Sequence, residues 1–202
     1  PEAKSAVEYK PEYTWNYELG THLSLFDGKL QADFAAFYMQ TYDQQLSQMA
    51  ESGLGRITVN AGESESYGVE ANFVASLNRH LQLNASYGYT EATFVKYNAG
   101  AGEDYSGNYV PFVPRHTMNI GGSYSFFFNN SWAQSLTLGA NCSGAGKIYW
   151  TEANNASQDF YATLNGYISL KAKTVQIDLW GRNLTDNEYT TFYFETMGRG
   201  YE

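Results

Sequence analysis

Residues 13–25 read Tyr13-Thr14-Trp15-Asn16-Tyr17-Glu18-Leu19-Gly20-Thr21-His22-Leu23-Ser24-Leu25, and every odd position is aromatic, aliphatic or threonine. Even positions carry Thr14, Asn16, Glu18, Gly20, His22 and Ser24. A period of two is the signature of a strand with one apolar and one wet face. The run is about twice the five or six residues typical of a soluble strand and matches the roughly nine to eleven that a tilted strand needs to cross a bilayer.

The pattern recurs along the chain. Leu30, Ala32, Phe34, Ala36, Tyr38, Gln40 and Tyr42 repeat it, as do Tyr67, Val69, Ala71, Phe73, Ala75 and Leu77, and then Leu81, Leu83, Ala85, Tyr87 and Tyr89. Further sets are Met118 to Phe128, Trp132 to Gly144, Phe160 to Leu170 and Val175 to Gly181, each taken at alternate positions. No Asp, Glu, Lys or Arg falls in any of these sets, although 16% of the chain is charged. Glu18, His22, Asp33, Glu70, Asp159, Asp178 and Arg182 occupy the opposite positions. A basic residue at mid-membrane on a barrel's lipid face costs about 2 to 4 kcal/mol, whereas the lumen tolerates it. The expected fold is all-β, a transmembrane antiparallel up-and-down β-barrel wall of about eight strands.

Connections alternate in length too. Short ones fall at Asp27-Gly28, Asn78 to His80, Asn129 to Ser131 and Lys171 to Lys173; long ones are expected over residues 43–65, 95–114 and 145–158. Outer-membrane barrels have short periplasmic turns and long external loops, so the first strand descends from outside and residues 175–194 climb back out. Aromatics gather near the expected outer rim at Tyr38, Tyr42, Tyr89, Tyr149, Trp150, Phe160, Tyr161, Tyr189 and Tyr193, and near the inner rim at Phe126, Phe128 and Trp132. Such belts form where apolar rings meet headgroup water.

Composition narrows the remaining classes. The 202 residues suffice for one domain, and Pro1 to Lys10 has no apolar leader core. No stretch is long and apolar enough for a helical span. The mean hydropathy of -0.45 is neutral, because a barrel needs apolar residues only at alternate positions. A net charge of -9 argues against a nucleic-acid partner, and the single Cys142 cannot form an internal disulfide.

Four strings carry a family resemblance: NYELG followed by DGKLQADFAAFYMQTYDQQ, VNAGESESYGVEANF, VPFVPRHTMNIGGSYSF, and LWGRNLTDNEY. Together they resemble the C-terminal barrel half of TonB-dependent outer-membrane receptors over nearly the whole chain. The run Asn183-Leu184-Thr185-Asp186-Asn187-Glu188-Tyr189 is similar to the family's Asn-Leu-Phe-Asp-x-x-Tyr, with Thr185 in place of Phe. The resemblance implies that residues 1–202 are eight consecutive strands of a larger, 22-stranded barrel, with the plug domain and the closing strand not present. It also implies a bacterial outer-membrane location, contact with outer-membrane lipid, and active transport energised by the TonB complex through that plug. The ligand would be a scarce nutrient such as an iron chelate or cobalamin.

No catalytic constellation stands out, so no enzyme activity, cofactor or metal site is expected. His22, His80 and His116 lie on separate strands or turns without zinc-site spacing, and Glu103-Asp104 lacks the repeated oxygens that calcium takes. External-loop candidates for ligand binding are Tyr97, Tyr105, Tyr109, Tyr149 and Trp150, which either stack on a planar ligand or anchor the barrel at the interface. Glu70, Asp178 and Arg182 are candidates for facing the lumen and the plug. Two rival readings remain open: a self-contained eight-strand barrel with an adhesion or structural role, and an outer-membrane barrel enzyme.

Overall fold

The computed structural model describes residues 10–49, 56–100, 102–129, 132–196 and 199–201. Its strands, in chain order, are β1 (Tyr13–Leu25), β2 (Leu30–Met49), β3 (Arg56–Ser76), β4 (Leu81–Gly100), β5 (Glu103–Asp104), β6 (His116–Phe127), β7 (Ala133–Ala145), β8 (Ile148–Tyr149), β9 (Ser157–Gln158), β10 (Tyr161–Ala172), β11 (Gln176–Gly181), β12 (Phe194–Thr196) and β13 (Arg199–Tyr201). The main sheet runs β1-β2-β3-β4-β6-β7-β10-β11, with β5 folded back on β4. Every pairing in it is antiparallel and joins strands that neighbour each other along the path. This is the meander of an up-and-down wall.

The hydrogen-bond register supplies an independent check on the alternation. Thr21 opposes Phe34, Phe34 opposes Ala71, Ala71 opposes Tyr87, and Tyr87 opposes Met118. Met118 then opposes Gly144, and Gly144 opposes Ala162. Each uncharged residue therefore faces another of its set, strand after strand. A slip of one residue in any pairing would have broken the face. Much of that face is open: Leu19 is 81% exposed, Ile120 62% and Leu179 70%. Soluble monomers do not leave so wide an apolar surface uncovered.

The other face is polar and bonded within itself. Asn84 Nδ2 donates to Asn119 Oδ1 (3.1 Å), and both Asn119 and Asn141 donate to Ser143 Oγ (2.6 and 3.0 Å). His22 meets Asp33 at 2.8 Å, and the Ser125 and Thr137 hydroxyls lie 2.8 Å apart. Where rings lie on this side, glycine makes room: Phe37 crosses Gly68 and Tyr167 crosses Gly139, leaving no space for a Cβ at either.

No compact core lies beneath the sheet among the described residues. Among the described residues the buried apolar side chains are Ala32, Ala92, Phe94, Tyr97, Ala133, Ile148 and Trp150, and the four large ones belong to the external end.

Three boundaries differ from the sequence expectation. Residues 43–65 are largely ladder, since β2 and β3 stay paired to Met49 and Arg56 through register shifts at Thr41, Gln44 and Gln45. Asp43 takes φ 51° there, which breaks the alternation. Beyond the membrane both faces of a strand are wet, so no apolar period marks the extension. Gly53 and Gly55, within this expected loop, lie outside the described residues. The loop expected over residues 95–114 likewise begins later, because β4 runs to Gly100.

The third difference is at the last strand, whose regular ladder ends at Gly181. Asn183 and Asp186 take φ of 48° and 50°, and the chain continues beside β10 through mixed bonds. Leu184 N donates to Leu164 O, Asn187 Nδ2 to Ala162 O, and Thr190 N to Gln158 Oε1. The Asn183 carboxamide closes the turn by bonding both N and O of Asn187.

The short turns are as expected where described. Phe26, Asp27 and Gly28 all have positive φ, and Lys29 N closes the turn on Phe26 O. Asn130 and Ser131, expected in another, lie outside the described residues.

Candidate functional site

At the external end the chain after β4 folds back on it. Tyr105 N donates to Tyr97 O, Gly107 N to Phe94 O, and Val110 N to Ala92 O. Asp104 organises the turn, because its carboxylate accepts from both the N and Oγ of Ser106. Those two bonds hold its ionisation below the usual carboxylate range. Gly102 and Gly107 supply the left-handed backbone positions, at φ 85° and 86°.

The next loop docks on the first. Asn154 Oδ1 accepts from Tyr109 N at 2.7 Å and Asn154 Nδ2 donates to Tyr109 O at 3.0 Å, so one side chain pairs with a backbone residue as a strand neighbour would. Asn108 Nδ2 donates to Glu152 O, and Phe112 N to Tyr149 O.

This pairing brings four side chains into one stack. The Tyr109 and Tyr149 rings lie 5.2 Å apart and 7° from parallel. Arg115 sits 5.0 Å over the Tyr109 ring, and Lys147 Nζ sits 5.0 Å over the Tyr149 ring. Cations on ring faces stabilise each contact by about 0.5 to 1 kcal/mol at exposed sites. Arg115 Nη2 also donates to Glu91 Oε2 at 2.7 Å, an oxygen that accepts from Tyr89 as well. Hydrogen bonding with Tyr89 and the Glu91 carboxylate drive the Arg115 ionisation above its ordinary value. Burial first, and then Glu91, push the Tyr109 hydroxyl up.

The five external tyrosine and tryptophan candidates therefore divide. Tyr97 is 4% exposed, packed between Phe94 and Tyr105, and Trp150 is 8% exposed against Phe112. Tyr105, Tyr109 and Tyr149 are half-buried with surface remaining. Tyr105 donates to Glu103 Oε2 at 2.6 Å, and that bond, with burial, pushes its hydroxyl up to about 12.

The lumen candidates lie on the polar face but not together. Glu70 is on β3 opposite Ala35 and Gly88, while Asp178 and Arg182 lie at the far edge, with β4, β6, β7 and β10 between. Asp178 accepts from Gln176 Nε2, and Arg182 lies 5.1 Å over Trp180. Sequence reasoning did not single out Glu91, Phe112, Arg115, Lys147 or Asn154. For Phe112 a signal existed, since Pro111 and Pro114 frame a segment in which it takes φ 65°. For Asn154 the loop's own sequence held none.

Comparison with known proteins settles the lineage. The family model described as TonB dependent receptor-like, beta-barrel matches residues 4–184. The chain belongs to the TonB-dependent receptor β-barrel family. It is 31% identical over 199 residues to the ferric-pyoverdine M114 receptor PbuA of Pseudomonas sp. (strain M114), covering 95% of this chain and 23% of that protein. With the pesticin receptor of Yersinia pestis it shares 32% identity over 193 residues, covering 93% of this chain and 26% of that one. The fold matches the crystal structure of the ferric yersiniabactin uptake receptor FyuA from Yersinia pestis with a TM-score of 0.77 at 24% identity, over 94% of this chain and 27% of that one. The chain thus spans about a quarter of the length of these relatives. As a TonB-dependent receptor barrel it is an outer-membrane protein of Gram-negative bacteria, and its relatives are receptors rather than enzymes.

Proposed function

We propose that this chain is the C-terminal wall and external-loop portion of a receptor that takes up a chelated metal, iron foremost, across the outer membrane. In this reading the external loops capture the chelate, and a plug domain outside these residues rearranges when TonB pulls on it. The chelate then passes through the lumen. The match to the TonB-dependent receptor barrel carries the reading. Curated relatives named for ferric pyoverdine, ferrichrome and metal-pseudopaline support a metal chelate over cobalamin.

Arg115 and Lys147 cap the ring faces of the Tyr109–Tyr149 pair, so the stack offers positive charge, ring edges and hydroxyls, which suits an anionic chelate. Tyr105 borders the same loop, whereas Tyr97 and Trp150 are buried, Tyr97 against Phe94 and Tyr105 and Trp150 against Phe112. Glu70, Asp178 and Arg182 would face the plug.

A self-contained barrel has the open edges against it, because β1 and β11 do not pair with each other among the described residues. Hydrocarbon leaves no water for such edges. More wall strands from outside this chain would complete the ladder.

The test uses the full-length receptor in a strain deleted for it. Uptake of radiolabelled ferric chelates should be restored by the wild type and abolished when TonB is removed. The Tyr109→Ala, Tyr149→Ala double variant should raise the apparent KM while leaving surface abundance unchanged. Equal uptake of every chelate offered, with and without the receptor, would overturn the reading.

A further inference from the structure

The two rims of the wall treat positive charge differently. At the external end, among the described side chains, four cations have a carboxylate partner: Lys10 with Asp43 (3.8 Å), Lys96 with Glu63 (3.7 Å), Arg115 with Glu91 (2.7 Å) and Lys147 with Asp159 (4.0 Å). At the short-turn end Lys29, Arg79 and Lys173 stand in three of the four turns, all exposed. Among the described residues none of these three has a carboxylate within 4.0 Å. Asp27 is the single acid in those turns. Lys171 lies opposite Gln176 on the polar face and is a separate case.

Position sharpens the contrast. Each of the three cations is close in sequence to an exposed apolar residue that ends the wall: Phe26 at 72%, Leu77 at 52% and Val175 at 55%. Arg79 is also held at the rim, since its Nε donates to His80 Nε2 at 2.9 Å and its guanidinium rests 5.8 Å from the ring centroid of Phe127, the last β6 residue, whose position alternates onto the polar face. His80 in turn stacks on Tyr124. Long basic side chains at the edge of a hydrocarbon-facing surface lay their stems on it and put their charge at headgroup depth. An anionic headgroup there supplies the counter-charge that the protein does not.

We propose that the short-turn rim is a lipid-headgroup site, in which Lys29, Arg79 and Lys173 hold the phosphates of anionic phospholipid in the leaflet that faces the periplasm. This rests on the outer-membrane placement of the barrel and not on what the receptor transports. An uptake assay and a lipid-retention assay therefore fail independently.

The experiment is native mass spectrometry of the full-length receptor, purified in mild detergent with equimolar phosphatidylglycerol and phosphatidylethanolamine. The wild type should retain phosphatidylglycerol preferentially. Lys29→Gln, Arg79→Gln and Lys173→Gln should lower that preference by about fivefold per charge removed, the value expected for a basic residue near an anionic surface. The external pair Lys96→Gln and Lys147→Gln should leave it unchanged. Heat-modifiable migration checks that each variant is folded.

If the triple variant fails that check, salt titration of the wild type serves instead. The preference should vanish by about 0.5 M salt, where screening reaches only a few ångströms. Retention unaffected by the three substitutions or by salt would overturn the proposal, as would displacement of the lipid by soluble peptidoglycan fragments.

Discussion

The carboxamide of Asn154 reaches a backbone 45 residues away in sequence and bonds both its N–H and its C=O. Its own backbone is left-handed, at φ 56°. Asn154→Gly keeps that conformation and removes the side chain, and with it the two bonds to Tyr109 and a third from Nδ2 to Thr151 O within its own loop. Their loss should cost about 1 to 3 kcal/mol of local stability, given net values near 1 kcal/mol per bond and partial burial of the orphaned groups. Hydrogen exchange on the full-length receptor should show faster exchange over residues 105–112 and none of the change in β1.

Tyr105 offers a second residue-scale test. Its ionisation is raised to about 12, mainly by the hydrogen bond to Glu103. A raised folded-state value means that the contribution is fully present below the ordinary tyrosine range near 10 and is lost as pH rises through about 12. Absorbance titration should show a late tyrosinate component that disappears in Glu103→Gln and in Tyr105→Phe.

At the scale of the strand, adjacent positions should respond oppositely to the same charge. Ile120, outward and opposite Ala85 and Cys142, follows directly on Asn119, which bonds Asn84 and Ser143 on the polar face. Ile120→Arg should destabilise the reconstituted receptor by about 2 to 4 kcal/mol, and Asn119→Arg by far less, read from urea unfolding in liposomes.

Legibility followed the solvent. Within the bilayer, lipid on one side and water on the other impose a period of two, so faces and pairing partners were readable from Tyr13 to Gly181. Above it both sides are wet, and the constraint lapses. The extension of β2 past Asp43 therefore carries no strand signature in its sequence, and the side-chain pairing of residues 183–190 leaves none either. The external-loop cluster is half legible for a similar reason: its tyrosines stand out by type, but Asn154 and Glu91 gain meaning only from contacts made between separate segments.

For the whole molecule, β1 is exposed along its full length and β11 ends the sheet at the other side. Residues 1–202 produced alone should therefore give no heat-modifiable band in micelles, whereas the full-length receptor should. A folded, heat-modifiable product from this stretch alone would favour the self-closing barrel instead.

The wall is also of unequal height. From Tyr38 in the outward tyrosine row to Met49, β2 adds about 35 Å of extended chain at roughly 3.3 Å per residue, paired throughout most of its length with β3. The β6 and β7 strands stop at His116 and Ala145, close to the membrane. Within this stretch of wall the β2–β3 ladder stands taller than β6 and β7, so a protease or antibody that meets this part of the surface from the medium would reach β2 and β3 before the lower strands.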